Sequence, residues 1–86
     1  MEQVFYIDLK GITTKEALQE RIAQELPVPE YYGKNLDALY DVLTEQGEAW
    51  NIIFYNCDES AECLAKLRRM CADACDECDG LRVRFF

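Results

Sequence analysis

Six residues near the middle of the chain, Trp50-Asn51-Ile52-Ile53-Phe54-Tyr55, form a short and nearly unbroken apolar run. A run of this length, rich in β-branched and aromatic side chains, reads as a strand covered on both faces and therefore central in a sheet. The rest of the chain must supply its neighbours and its cover. Val4-Phe5-Tyr6-Ile7-Asp8-Leu9, with Gly11 soon after, reads as a second strand. Leu81-Arg82-Val83-Arg84-Phe85 alternates strictly, which predicts a third strand with one buried and one wet face.

Helical patterns fill the intervals. Thr13 stands three residues before Glu16, a capping-box arrangement, and Ala17, Leu18, Ile22, Ala23 and Leu26 form a stripe that Pro27 stops. Asn35 is placed to cap a second helix whose apolar face is Leu36, Leu39, Tyr40 and Leu43. A third helix opens at Asp58 or Ser60 and runs to about Cys78, with Gly80 ending it. The order β-α-α-β-α-β predicts one α/β domain over residues 1–86, with a small, mostly parallel three-stranded sheet.

Charge narrows the function. The 86 residues hold 9 Lys and Arg, 17 Asp and Glu, and no histidine, for a net charge of −8. Such a balance argues against binding nucleic-acid phosphates and favours a basic partner. Lack of histidine removes the commonest general base and metal ligand. Each of Gly11, Gly33, Gly47 and Gly80 is isolated, so no phosphate-cradling loop is present, and no catalytic residue or cofactor is expected. No apolar run reaches the roughly 18–20 residues of a membrane span, and Met1-Glu2-Gln3 lacks the basic start of a signal peptide. The expectation is a cytoplasmic protein, monomeric when free.

Cysteine is the loudest compositional signal, with Cys57, Cys63, Cys71, Cys75 and Cys78 all in the second half. Cys71, Cys75 and Cys78 share the C-x3-C-x2-C ligand spacing of radical-SAM iron–sulfur enzymes, so a small metal or Fe–S protein, with Cys63 as a further ligand, is an alternative reading. On a helix, however, positions 64, 67, 71, 74, 75 and 78 form one stripe with Leu64, Leu67 and Ala74. Buried cysteine behaves as a small hydrophobe, which makes core packing the simpler expectation, with no metal. An odd count in a cytoplasmic chain argues against a disulfide framework.

The second helix carries its acid at a cost to itself. Asp37 and Asp41 stand at i and i+4, a repulsion of roughly 0.2–0.5 kcal/mol in an isolated helix. Glu45 adds charge near the C-terminus, where the helix dipole disfavours it. A stripe that works against its own helix points to a face kept for a partner.

The segment Pro29-Glu30-Tyr31-Tyr32-Gly33-Lys34-Asn35-Leu36-Asp37-Ala38-Leu39-Tyr40-Asp41-Val42-Leu43-Thr44 resembles the signature of the barstar family, intracellular inhibitors of secreted bacterial ribonucleases. It matches P-E-Y-Y-G-x-N-L-D-A-L-(aromatic)-D-x-L-T at every specified position, while the second half of the chain agrees only in pattern. The resemblance implies a barstar-like fold and a non-enzymatic inhibitor of a basic, secreted, barnase-like ribonuclease. An acidic helix and the loop before it would plug the nuclease cleft, a carboxylate standing in for an RNA phosphate because both accept Arg forks. A barstar-fold domain that binds a different toxin or regulatory protein is a further alternative.

Carried over by position, the resemblance makes Tyr31, Gly33, Asn35, Asp37, Asp41 and Thr44 partner-facing, with Asp41 the deepest carboxylate, while Glu45, on the same acidic helix face, is expected at the rim of the interface. Asp73 is the best match for an acidic contact on the last helix. Tyr32 and Tyr40 are expected in the core, and Gly33 is expected to serve a special backbone conformation and a close approach at once. The chain departs from the family's best-known member after Thr44, where Glu45-Gln46 stands in place of Gly-Trp and the nearest tryptophan is Trp50.

Overall fold

The computed structural model describes residues 2–86. Its elements are β1 (Gln3–Asp8), α1 (Lys15–Glu25), α2 (Leu36–Gln46), a 3-10 turn at Gly47–Ala49, β2 (Trp50–Tyr55), α3 (Glu62–Glu77) and β3 (Arg82–Phe85). The order is β-α-α-β-α-β, as the alternation of patterns predicted. All three strands are parallel, in the spatial order β1-β2-β3, so the run at 50–55 is indeed the central strand.

The helices bury one face of that sheet. Ile7, Ile52 and Phe54 are fully buried there, with Trp50 and the partly buried Phe5, Val83 and Phe85 around them. Phe5 packs edge-on to Trp50 at 5.2 Å between ring centroids, and Phe54 stacks on Phe85 at 5.0 Å. Core leucines from all three helices close the layer: Leu18 from α1, Leu39 and Leu43 from α2, Leu64 and Leu67 from α3.

The other face departs from expectation. Ile53 and Asn51 are only half-buried and Tyr55 is exposed, so β2 is not covered on both sides. Three helices of 11 to 16 residues suffice to cover one face of a three-stranded sheet, and no further element remains for the other.

Helix starts also differ. The cap of α1 is Thr14, not Thr13: its Oγ1 accepts from the Ala17 N–H at 3.2 Å, leaving Glu16 one position too early to complete a capping box. Neither Asp58 nor Ser60 caps α3. Asp58 Oδ1 instead accepts from the Ser60 N–H at 3.0 Å and the Ser60 hydroxyl at 2.6 Å, closing a separate turn, and Ala61 takes the cap position without a side-chain bond. That turn holds the Asp58 carboxyl below its ordinary range, because both donors favour the charged form. The C-cap of α3 is Cys78, and Gly80 lies just beyond it, where the chain crosses Glu48. A Cβ on Gly80 would overlap the Glu48 carbonyl oxygen, so this position needs glycine for close approach.

Candidate partner-binding surface

Residues 27–35 set up the exposed side of α2. The Tyr32 N–H donates to the Pro29 carbonyl at 3.0 Å, and the Tyr32 ring turns into the core, where its hydroxyl donates to Gln19 Oε1 on α1. Anchoring Tyr32 inward leaves its neighbour outward: Tyr31 is 88% exposed, the most exposed large apolar side chain among the described residues. Burial pushes the Tyr32 phenol up to about 12.

Gly33 is not the residue with the special backbone. Left-handed φ belongs to Lys34 (+53°), whose Nζ meets Glu20 Oε1 at 2.8 Å. A Cβ on Gly33 would meet Asn35 Nδ2 at 3.2 Å, so glycine here leaves room for the cap that follows. Asn35 Oδ1 accepts from the Ala38 N–H at 2.7 Å, while its Nδ2 donates to the Gly33 carbonyl at 3.2 Å. Both polar ends of Asn35 are thus engaged in starting α2.

Along α2, Leu39, Val42 and Leu43 face the core. Val42 joins this face in place of Tyr40, which is half-buried rather than fully in the core, as is Leu36. Asp37, Asp41 and Glu45 are exposed on the opposite side. Thr44 is half-buried, its hydroxyl donating to the Tyr40 carbonyl at 2.9 Å, with Asp41 O at 3.3 Å. The ion pairs among the described residues are Lys34–Glu20 and Lys66–Glu62, and neither involves Asp37, Asp41, Glu45 or Asp73. Those carboxylates are therefore solvated and unpaired.

Tyr40 marks the seam between α2 and α3. Its phenol is raised above the ordinary value first by desolvation and then by the charges of Glu77, Asp73 and Asp41. Asp73, from the last helix, thus lies near enough to the Tyr40 phenol for its charge to act there, as Asp41 does from α2. Glu77, one turn beyond Asp73, joins them and was missed from sequence; its only signal was the i, i+4 spacing on a helix not yet docked. At the other end, Asp37 borders a cleft of about 660 Å³ where the N-terminal ends of all three helices meet, lined by Thr14, Asn35, Cys63 and Lys66 among others. The surface is thus one acidic helix face with a phenol at its seam, an exposed tyrosine before it and a cleft at its head. Such a surface can accept a row of cationic groups.

Apart from Cys63 at the cleft, the cysteines lie elsewhere. Cys71 (2% exposed) and Cys78 are buried on the α3 stripe with Leu64, Leu67 and Ala74, while Cys57, Cys63 and Cys75 are half-buried; all five are free thiols. Desolvation, with a smaller effect of Cys75, pushes the Cys71 thiol up to about 12, in keeping with a side chain packed among apolar neighbours. Among the described residues, no group of three or more Cys, Asp or Glu side chains is placed to hold a metal ion.

No helix among the described residues is long and apolar enough to cross a membrane. Comparison with known proteins supplies two findings. A family model described as "Barstar (barnase inhibitor)" matches residues 2–86. A Bacillus subtilis (strain 168) protein named "Putative ribonuclease inhibitor YrdF" is 45% identical over 38 residues, which cover 44% of this chain and 42% of that protein.

Proposed function

The chain belongs to the barstar family, and from that membership we propose that it is a non-enzymatic inhibitor of a basic, secreted ribonuclease of the barnase type. The supporting observation is the unpaired carboxylate row of α2, Asp37, Asp41 and Glu45, on a helix whose other face is locked into the core. A nuclease cleft must present Arg and Lys to hold RNA phosphate. A rigid helix offering a row of carboxylates can satisfy those groups without supplying a bond to cleave.

Residue roles follow from placement. Asp41, mid-helix and exposed, enters deepest and takes the place of the phosphate. Asp37 flanks it one turn earlier. Tyr40, Asp73 and Glu77 continue the acidic face across the seam, where a second cation of the nuclease is received. Tyr31 lies flat against the rim of the cleft. Asn35 acts indirectly by starting α2, and Gly33 by leaving space for that cap. Thr44 contributes oxygen lone pairs, since its proton is held by its own helix. Glu45 lies at the rim.

Titration into a barnase-type ribonuclease acting on RNA tests this reading. Inhibition is expected to be complete at one equivalent. RNA hydrolysis that continues unchanged in the presence of excess folded protein would remove the mechanism.

A further inference from the structure

The sheet face turned away from the helices is a three-by-three array. Parallel register aligns Val4 with Asn51 and Arg82, and Tyr6 with Ile53 and Arg84. The next row runs from Asp8 through Tyr55 to Phe86, whose N–H donates to the Phe54 carbonyl and whose carbonyl accepts from Cys57. Four of the five exposed large apolar residues among those described stand here: Val4, Tyr6 (64% exposed), Tyr55 and Phe86. Both arginines of the last strand point out of the same face, against the single carboxylate of Asp8. A chain of net charge −8 therefore carries one locally positive, largely apolar face.

We propose that this face is an interface between two copies of the chain, packed sheet against sheet about a twofold axis running along β2. Such an axis preserves height along the strands and exchanges the two edges, so β1 of each copy lies over β3 of the other. Tyr6 then meets Arg84 of the second copy and Val4 meets Arg82, while Ile53 and Tyr55 meet their own equivalents beside the axis. Guanidinium over a phenol ring is a favourable contact, and it occurs twice by symmetry. The arginines of the two copies stay at opposite edges, so like charges do not face one another. Facing sheets about 10 Å apart leave room for these side chains to interdigitate.

A second copy is the occupant because the face carries its own complement. Val4 and Tyr6 line one edge strand and the guanidinium groups of Arg82 and Arg84 the other, at matching heights and related by the axis that the parallel register provides. Two chains of −8 repel over the rest of their surfaces, which leaves this face as the place where they meet. The helical layers point outward on both sides, so the acidic α2 surfaces remain open in the pair. Nine residues a side is small beside the roughly 20–30 of a stable interface, so the association is weak and reversible.

Sedimentation equilibrium of the chain alone, in reductant, from about 10 μM to about 1 mM tests the proposal in the range expected of weak association. The weight-average mass should climb from 10.0 kDa towards twice that value, and more readily at high salt, where net repulsion is screened. Ile53→Asp and Arg84→Glu should each weaken association at least tenfold. Tyr6→Ala, at an exposed position, should do the same and serves if Ile53→Asp unfolds by circular dichroism. A chain that stays monomeric throughout, as its sequence led us to expect, or association that survives all three substitutions, would overturn it. No nuclease is present in this measurement, so the result is independent of the inhibitory reading.

Discussion

The Tyr32 hydroxyl donates to Gln19 Oε1 inside the core, tying the loop before α2 to α1. Because burial raises the Tyr32 phenol from 10 to about 12, its neutral form belongs to the folded state. The stability this contributes is fully present below about pH 10 and is lost as pH rises towards 12. Cys71, raised from 9 to about 12, adds a parallel loss that begins near pH 9. Urea midpoints should therefore fall steadily from pH 9 to 12. Tyr32→Phe should flatten the curve above pH 10, and at pH 7 should cost about 1–3 kcal/mol by leaving Gln19 Oε1 buried without its donor. A variant curve parallel to that of the parent chain would show that Tyr32 is not the titrating group.

Asp41→Ala should abolish tight binding of the ribonuclease and leave the fold intact, since the side chain lies off the buried face of α2. Isothermal titration with circular dichroism as the control measures both. Unchanged affinity would take Asp41 out of the interface, and a lost fold would make it structural.

Exposed acid should act mainly on the rate of encounter. Surface charges are screened beyond about 8–10 Å near physiological ionic strength, so association should slow steeply with salt while dissociation responds less. Glu45→Gln should mainly slow association, and Asp37→Asn should mainly speed dissociation. Stopped-flow traces across a salt series decide the matter; association indifferent to salt would reduce the −8 to a solubility feature.

The cysteines should matter to stability and not to inhibition. Cys71→Ala should cost about 1–2 kcal/mol in urea unfolding, and Cys75→Ala less, because only Cys71 is fully buried. Either variant melting normally but failing to inhibit would place unrecognised function on α3.

Thr14 and Thr13 offer a direct contrast. Thr14→Ala should cost about 1 kcal/mol by removing the cap of α1, whereas Thr13→Ala should be close to neutral. Thermal melts of the two variants compare them, and the reverse order of effects would mean that α1 starts one residue earlier.

These contrasts show where sequence is a sufficient guide. Strand and helix periods are local properties, so the element order, the central place of residues 50–55 and the inward turn of Tyr32 were legible. Cap identity turns on a single residue of phase, and Thr13-x-x-Glu16 satisfied the pattern while Thr14 made the bond. Docking was the harder matter. The gathering of Glu77, Asp73 and Asp41 around Tyr40 depends on how α3 lies on α2, and the open sheet face depends on how many helices reach each side. Neither leaves a periodic trace. Of the two roles expected of Gly33, the close approach held and the special backbone fell to Lys34: the turn needed one left-handed residue, and glycine beside it clears the Asn35 amide.

Parallel pairing in the order β1-β2-β3 has a consequence for timing. Gln3 finds its place opposite Trp50, and Asn51 finds its place opposite Arg82, so no ladder can close through a hairpin and each waits for a helix-bearing crossover. Contacts that distant in sequence form slowly and together. A chain emerging from the ribosome holds the acidic helix long before it holds the α3 layer against which that helix packs. On the proposed inhibitory reading, protection against a nuclease made at the same moment would be limited by how fast the last strand completes the sheet, so protein folded beforehand would protect where newly made chain would not.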